Sequence, residues 1–287
     1  MATTFDFSQH SVTLLARQDV ARALAEDVGE GDLTAALVEP LRRARARVLA
    51  REAAVICGAP WFEEALRQVE PGMQVRWQVE EGQRSSADQV VVEIEGSARA
   101  LLTAERTALN FLQLLSGVAT KTAAYVEAVA GTKARIVDTR KTLPGLRLAQ
   151  KYAVRVGGGV NHRIGLYDAV LIKENHIATA GGVAAVLQAA KQVAAQAAFV
   201  EIEVETLQQL EEALAAGAKM ILLDNMDLPT LREAVRINDG RAILEISGGV
   251  TMDSVGALAE TGVDRISIGA LTKDVKAVDF SMRMNEL

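Results

Sequence analysis

The stretch VEIEVETLQQLEEALAAGAKMILLDN, residues 200–225, decides the fold of this chain. Its two ends, 200–204 and 220–223, are short apolar segments rich in Val, Ile and Leu, which are typical of strands buried in a parallel sheet. The residues between them, 207–216, have the apolar spacing of an amphipathic helix. The stretch therefore predicts one βα unit followed by the strand of the next unit.

The same pattern repeats through the second half of the chain. Strands are predicted at 134–137, 169–172, 200–204, 220–223, 243–246 and 265–268. Amphipathic helices are predicted at 183–196, 207–216, 228–237 and 254–260. About six right-handed βα units close, or nearly close, a barrel, so we expect an α/β barrel of the TIM type. An open, doubly wound sheet is the alternative.

The first part of the chain has a different pattern. A helix pair is predicted at 5–28 and ends at a turn, 29–32. Strands are predicted at 45–51, 53–57, 75–79 and 90–95, a helix at 61–69, and a long helical stretch at 103–130. Together these elements predict an N-terminal α/β sandwich domain.

These patterns divide the chain into three parts. We assign residues 1–116 to the sandwich domain and residues 117–271 to the barrel. Residues 272–287 are a C-terminal tail that we expect to return to the N-terminal domain. The boundary falls inside the long helical stretch, near Gly117.

Composition restricts the class of protein. Cys57 is the only cysteine, so an internal disulfide is excluded and a reducing cytoplasm is expected. Residues 1–18 lack the apolar core of a signal peptide. No apolar run approaches the roughly 20 residues that a membrane span needs. A net charge of −6 argues against a general nucleic-acid binder.

The charge is unevenly distributed along this acidic chain. Residues 133–163 contain eight basic residues and a single acid, Asp138. A local concentration of positive charge predicts a site for small polyanions. A solvated basic helix face is the simpler alternative.

Polar residues or glycines follow almost every predicted strand of the barrel. They are Asp138-Thr139-Arg140-Lys141, Lys173-Glu174-Asn175-His176, Glu205, Asp224-Asn225, Ser247-Gly248-Gly249 and Gly269-Ala270. In βα barrels the carboxyl ends of the strands form the active-site face. The pattern therefore predicts one functional site at that face.

The last two strands are followed by glycine-containing loops, Ser247-Gly248-Gly249 and Gly269-Ala270. Glycines let backbone N–H groups approach an anion closely, and the loops after the last strands often bind phosphate in βα barrels. Each loop taken alone is also compatible with an ordinary tight turn. The two together predict a phosphate site.

A group of basic residues is a candidate for binding anions. Arg140 and Lys141 follow one predicted strand, Lys173 ends another, and His162 and Arg163 follow the glycine triplet 157–159. A guanidinium fork suits planar carboxylates, and an ammonium group suits phosphate. The alternatives are a solvated loop for Lys141, a structural hydrogen bond for His162 and a Schiff-base nucleophile for Lys173.

Two acids end neighbouring predicted strands, Glu203 and Asp224. Such a pair can bind Mg²⁺ through water, accept hydrogen bonds from ribose hydroxyls, or stabilise an oxocarbenium ion. Glu201, Glu203 and Glu205 alternate and so face one side of their strand. Arg106 is predicted on a helix outside the barrel, where a surface ion pair is its simplest role.

The ordered motifs of the chain resemble those of the quinolinate phosphoribosyltransferase family, and the resemblance covers nearly the whole sequence. The residues that carry it are 26–34, 105–110, 138–147, 151–154, 157–159, 161–163, 172–176, 201–205, 223–225, 247–249 and 269–272. Glu174 and Gln150 depart from the family's commoner Asp and Glu. Neither residue is expected to react, so little is put in doubt.

The resemblance implies an open α/β barrel beside an α/β sandwich, assembled as a homodimer or as a hexamer of dimers. It implies that the substrates are quinolinate and phosphoribosyl pyrophosphate, that Mg²⁺ is the cofactor, and that Arg106 reaches the site of the partner subunit.

The resemblance also implies a role for each site residue. Arg140, His162, Arg163 and Lys173 would bind the quinolinate carboxylates and the pyrophosphate, and Lys141 would lie beside the reacting groups. Glu203 and Asp224 would face the ribose and Mg²⁺. The loops with Ser247, Gly248, Gly249, Gly269 and Ala270 would take the 5′-phosphate.

Three other functions remain open at this point. One is a paralogue of the same fold linked to molybdenum transport, against which the complete basic set argues. The second is a barrel aldolase that uses Lys173 as a Schiff base. The third is a regulator that binds a phosphorylated ligand without turnover.

Overall fold

The structure, a computed structural model, describes residues 5–286. Residues 1–4 and 287 lie outside this range. The first four begin the predicted sandwich domain and the segment assessed for a signal peptide, and residue 287 ends the predicted C-terminal tail. The described chain forms two compact units. The sandwich unit contains Asp6–Ala123, Leu143–Gly158 and 274–286, and the barrel unit contains Phe5, Ala124–Thr142 and Gly159–Lys273.

The elements before the barrel strands are α1 (Gln9–Val28), a 3₁₀ turn (Ala35–Leu37), β1 (Arg43–Ala50), β2 (Ala54–Val55), α2 (Ala59–Val69), β3 (Gln74–Trp77), β4 (Arg84–Ser85), β5 (Gln89–Ser97) and α3 (Ala98–Ala128). The remaining elements are β6 (Arg135–Val137), α4 (Arg147–Val156), β7 (Val170–Ile172), α5 (Glu174–Ala180), α6 (Val183–Ala194), β8 (Val200–Val204), α7 (Leu207–Ala215), β9 (Met220–Asp224), α8 (Leu228–Asn238), β10 (Ile243–Ser247), α9 (Met252–Ala259), β11 (Arg265–Ser267), α10 (Ala270–Lys273) and β12 (Phe280–Glu286).

The sandwich unit contains a four-stranded antiparallel sheet in the order β12-β1-β5-β3, and β2 pairs with β4 separately. The strand at the C-terminal end of the chain thus completes a sheet that begins near the N-terminus. Trp61 and Phe62 of α2 are fully buried in this unit. An N-terminal α/β sandwich is confirmed.

The helix pair predicted at 5–28 is wrong, because a single helix, α1, covers Gln9–Val28. Neither glycine nor proline interrupts these residues, so the backbone hydrogen bonds continue for 20 residues. The helix ends at Gly29, whose φ of 55° lies in the region that only glycine adopts easily.

Helix α3 is 31 residues long and continues through Gly117 without a break. A Cβ at this position would lie 2.3 Å from the carbonyl oxygen of Lys276, so the glycine allows the two backbones to approach closely. The compact units divide further along the same helix, after Ala123.

The barrel unit contains six parallel strands in the order β6-β11-β10-β9-β8-β7. Strands β6 and β7 end the row, so the barrel is open, as predicted. Its core is formed by branched side chains such as Ile202, Ile221 and Ile266, which are fully buried. Helices between the strands start at side-chain caps, for example Thr206 before α7 and Asp227 before α8. Because the strands are parallel, their carboxyl ends lie at one rim.

Within residues 5–286, every helix is too short or too polar to cross a bilayer.

Candidate active site

A cavity of about 180 Å³ lies at the carboxyl ends of the barrel strands. It is lined by Thr139, Arg140, Lys141, His162, Arg163, Leu171, Lys173, Glu203, Leu222, Glu245, Ser247 and Ser267. We call it the barrel pocket. It brings together the five predicted basic residues, which are far apart in sequence. A larger cavity of about 780 Å³ lies in the sandwich unit, but its lining does not include those residues.

Five other predicted residues of the barrel unit lie beside this pocket rather than in its lining. A Cβ added at Gly248 would lie 3.2 Å from Asp224 Oδ1, which places that loop against the end of β9. A Cβ added at Gly269 would lie 3.0 Å from the Lys141 side chain. Gly249 and Ala270 follow these two glycines directly in sequence.

Arg106 belongs to the sandwich unit, where it is exposed on α3. Its predicted role across a dimer needs a second subunit, so it stays a prediction.

The loops predicted to bind phosphate differ in geometry. Gly248 and Gly249 have φ angles of 97° and 59°, which disfavour any other residue. Helix α9 begins only at Met252, and α10 is four residues long. The backbone of the loops, rather than a long helix dipole, is therefore the feature available to an anion. A second cavity of about 310 Å³ adjoins Gly248 and shares Ser247 with the barrel pocket.

Lys173 and Glu203 form an ion pair across β7 and β8, with Nζ 3.0 Å from Oε2. The lysine side chain is 51% exposed, whereas the glutamate side chain is 8% exposed. The carboxylate thus restrains an ammonium group whose remaining donors are open to the pocket. Leu222, the neighbour of Glu203 in the register of β8 and β9, lines the same cavity.

Buried acids hold the loop that carries Arg163. Asp138, at the end of β6, accepts hydrogen bonds from Asn161 Nδ2 at 2.6 Å and from the His162 backbone N–H at 2.8 Å. Asp168 accepts the backbone N–H groups of Ile164 and Gly165, each at 2.8 Å. The backbone on both sides of Arg163 is therefore held in place before any ligand binds.

His162 lies against acids rather than at an open position. Its Nδ1 accepts the Arg163 backbone N–H at 2.7 Å, and its Nε2 lies 2.8 Å from Glu201 Oε2. Because Nδ1 is an acceptor here, the proton of the neutral ring is on Nε2 and is donated to Glu201. His162 therefore contacts the acids behind the pocket through Nε2, in addition to lining the pocket itself.

Glu201 and Glu245 form an acidic pair behind the pocket, and both side chains are fully buried. Burial raises the pKa of Glu201 to about 7, while Arg265 and Arg163 act in the opposite direction. Burial and the neighbouring Glu201 raise the pKa of Glu245 to about 7. Arg265 Nε lies 2.8 Å from Glu245 Oε2 and provides a compensating charge.

Sequence reasoning missed Glu245 as a residue of the pocket. The signal was an acid in the middle of the otherwise apolar segment 243–246, since an isolated buried carboxylate is costly and requires partners. Leu171, Leu222 and Ser267 were also missed as lining residues. They look like ordinary strand residues until the barrel places them on one face.

Glu201, Glu245 and His162 also have the spacing of a metal site, with one ligand atom from each within 4.8 Å of the others. A metal would need the lone pair of His162 Nε2, but that atom carries the proton while Nδ1 accepts from Arg163. Arg265 already neutralises Glu245. The contacts with His162 and Arg265 therefore balance the two acids without a metal ion.

Arg140 and Arg163 place two positive charges in the same pocket. Burial and the charge of Arg140 lower the pKa of the Arg163 guanidinium. Like charges in a partly buried pocket repel each other, and an anionic ligand relieves the repulsion. The pocket is thus built for a ligand with more than one negative charge.

Known proteins share both the sequence and this fold. Residues 32–116 match the family model described as quinolinate phosphoribosyl transferase, N-terminal domain, and residues 118–283 match that of the C-terminal domain. The chain is 44% identical over 274 residues to the carboxylating nicotinate-nucleotide pyrophosphorylase of Mycobacterium leprae (strain TN), covering 93% of this chain and 96% of that protein.

Two solved structures are similar over almost their full length. The nicotinate-nucleotide pyrophosphorylase of Francisella tularensis is 42% identical with a TM-score of 0.93, covering 99% of this chain and 100% of that one. The protein named NadC from Streptococcus pyogenes is 40% identical with a TM-score of 0.92, covering 98% and 99%. This chain belongs to the quinolinate phosphoribosyltransferase family.

Proposed function

We propose that the protein is a pentosyltransferase that converts quinolinate and phosphoribosyl pyrophosphate to nicotinate mononucleotide, pyrophosphate and carbon dioxide, a step of NAD biosynthesis. The observation that carries the proposal is the barrel pocket, where Arg140, Arg163, Lys173 and Lys141 gather around one small cavity. Both substrates are polyanions, and their binding requires such a concentration of positive charge. The family of the chain supports the same reaction.

Quinolinate carries two adjacent carboxylates on a planar ring. The guanidinium groups of Arg140 and Arg163 can each bind a carboxylate with two parallel hydrogen bonds. Lys173 adds a third positive charge, oriented by its ion pair with Glu203. Arg163 depends on a loop that Asp138 and Asp168 already hold, so little ordering is needed when the ligand binds.

The sugar donor occupies the other side of the site in this proposal. Its 5′-phosphate binds the backbone N–H groups of the loops at Ser247–Gly249 and Gly269–Ala270, and Lys141, packed against Gly269, lies beside the reacting groups. Glu203 and Asp224 face the ribose, where a carboxylate stabilises the cationic transition state. The cavity next to Gly248 supplies additional space for the donor.

Mg²⁺ is the cofactor that we propose for the donor. Carboxylate oxygens are suitable ligands, and Asp224 and Glu203 project from neighbouring strands on the same face. Asp224 fits better for direct contact, because an ammonium group already lies 3.0 Å from Glu203. Bound there, Mg²⁺ would neutralise charge on the pyrophosphate oxygens.

The chemistry uses the charges of the site rather than a strong base. The ring nitrogen of quinolinate bonds to C1′ of the ribose, while the C1′–O bond to pyrophosphate breaks and the oxygen keeps the electron pair. The bond between C2 and its carboxylate then breaks and carbon dioxide leaves. The electron pair stays at C2, stabilised by the adjacent pyridinium, until a proton from water completes the product.

We further propose that the protein works as a homodimer, or as a hexamer built from dimers, with Arg106 contributed to the site of the partner. Its exposed position on α3 supports this role, because an arginine with a surface position is available to a second subunit. A cytoplasmic location is proposed from the single cysteine, Cys57, which is free and buried.

The direct test is an assay of the purified protein with quinolinate, phosphoribosyl pyrophosphate and Mg²⁺. We expect loss of quinolinate absorbance with release of one carbon dioxide per nucleotide formed. Reactions lacking the donor or containing a chelator serve as controls. No donor-dependent carbon dioxide release would overturn the proposed function.

A further inference from the structure

The acid behind the barrel pocket is connected to the pocket by a short chain of hydrogen bonds. Glu201 Oε2 lies 2.8 Å from His162 Nε2, and His162 Nδ1 accepts the Arg163 backbone N–H at 2.7 Å. Glu201 is fully buried and its other oxygen, Oε1, has no hydrogen-bond partner within the described residues. Burying a carboxyl group with an unpaired oxygen lowers the free energy of unfolding, so the interaction of Glu201 with His162 requires an explanation.

We propose that Glu201 is a positioning residue for quinolinate: it orients the His162 ring, and the ring fixes the backbone from which Arg163 reaches the substrate. The inference rests on the function proposed above. It makes the position of the quinolinate-binding arginine depend on Glu201, a residue outside the pocket lining.

The orientation of the ring is the first step of the argument. An imidazole can turn by half a revolution about its bond to Cβ, which exchanges nitrogen and carbon positions. Only one orientation places an acceptor at the Arg163 N–H and a donor at Glu201. Glu201 is the nearer of the two acids to Nε2, at 2.8 Å against 3.7 Å for Glu245 Oε1, so its removal weakens the preference for this orientation.

The second step concerns the backbone. The N–H groups at 162, 164 and 165 bind the aspartates Asp138 and Asp168, and the N–H of Arg163 is the remaining one in this run. His162 satisfies it with its own ring. Of the hydrogen bonds that support this loop, the one accepted by the His162 ring is thus the one that depends on Glu201. Loss of this hydrogen bond would let the Arg163 backbone shift, while the hydrogen bonds to Asp138 and Asp168 persist.

The third step is charge. Arg163 and Arg265 both act on the Glu201 carboxylate. Glu203 and Glu245 are both register neighbours of Leu222, so they face the same side of the sheet. The guanidinium of Arg163 also donates to the carbonyl oxygen of Ala169 at 3.4 Å. The His162 ring contacts both Glu201 and the Arg163 backbone. A change at Glu201 therefore alters the position of the Arg163 guanidinium, which binds a substrate carboxylate.

The experiment compares Glu201→Ala with Glu201→Gln, which keeps a side-chain oxygen that can accept the His162 proton. We expect Glu201→Ala to raise the KM for quinolinate about tenfold and to change the KM for phosphoribosyl pyrophosphate by less than about twofold. Glu201→Gln should recover most of the loss. Glu205→Gln is the matched control, since Glu205 follows the same strand but is exposed.

A double-mutant cycle tests the route through the ring. His162→Asn keeps an oxygen near the position of Nδ1 and removes Nε2. If Glu201 acts through His162, Glu201→Ala should add less than about twofold to the quinolinate KM of His162→Asn. Additive effects, or equal changes in both KM values, would overturn the proposal.

Two further outcomes are distinguishable. If the native protein turns over the substrates but Glu201→Ala leaves the quinolinate KM unchanged, only this inference fails. If the native protein has no turnover, the proposed function fails and this inference with it. Should Glu201→Ala not fold, Glu201→Leu, which fills the buried space without an acceptor, replaces it in both experiments. A quinolinate KM for Glu201→Leu equal to that of the native protein would overturn the inference.

Discussion

Two guanidinium groups, those of Arg140 and Arg163, lie close enough in the barrel pocket for the charge of one to lower the pKa of the other. Their proximity is unfavourable in the free protein and becomes favourable when a dicarboxylate lies between them. At the scale of single residues, substrate recognition in this protein is therefore a relief of repulsion as well as a set of hydrogen bonds.

Arg140→Ala removes one of these groups. We expect kcat/KM for quinolinate to fall on the order of a hundredfold, because a hydrogen-bonded charge is lost from the substrate contact. The fold should persist, since Arg140 lies at a pocket edge and is only partly buried. Steady-state kinetics and circular dichroism check both points. Unchanged quinolinate kinetics would contradict the role of Arg140, and Arg140→Lys separates charge from bidentate geometry.

The buried acid Glu245 makes stability depend on pH. Its pKa is raised from 4.5 to about 7, so its contribution to folding is largest below about pH 4.5 and declines as the pH rises to about 7. Glu245→Gln stays neutral and should reduce the decline between about pH 5 and pH 8, on the order of 2 kcal/mol. Urea unfolding of both proteins at about pH 5 and about pH 8 measures this difference in the free energy of unfolding. An identical pH dependence in both proteins would contradict a raised pKa.

At the scale of elements, the barrel strands were predictable to within one or two residues. Strand β8 coincides with the predicted 200–204, because apolar branched residues buried on both faces leave a clear pattern. Helix α1 was predicted as a pair, since residues 9–28 have a weak amphipathic pattern that does not define one continuous face. The pocket acid Glu245 was missed, because its partners come from other strands and no local pattern reveals them.

Glycines inside helices give a prediction at this scale. Gly117→Ala should lower the free energy of unfolding, because a Cβ would lie 2.3 Å from the backbone oxygen of Lys276. Gly256→Ala in α9 is the matched variant, with its nearest atom 3.8 Å away, and should raise stability by up to about 1 kcal/mol. Thermal unfolding of both variants compares them. Equal stabilisation by the two changes would show that the contact at Gly117 relaxes easily.

At the scale of the whole molecule, the site is proposed to be completed by a second subunit. Mixing Arg106→Ala subunits with Lys173→Ala subunits should then create one intact site in each mixed dimer. We expect about a quarter of native activity after random exchange of subunits in equal amounts. The unmixed variants are the controls. If the mixture is no more active than these, Arg106 acts within its own chain or not at all.

Strand β12 pairs with β1, although the whole barrel from Ala124 to Lys273 lies between them in the sequence. At the usual rate of synthesis, β1 waits roughly 10 to 50 seconds for this neighbour. An unpaired strand is a template for aggregation, and charged side chains are a common protection. Three arginines, Arg43, Arg45 and Arg47, alternate along β1 on its exposed face. Their charges disfavour pairing of this edge with another chain before β12 has been made.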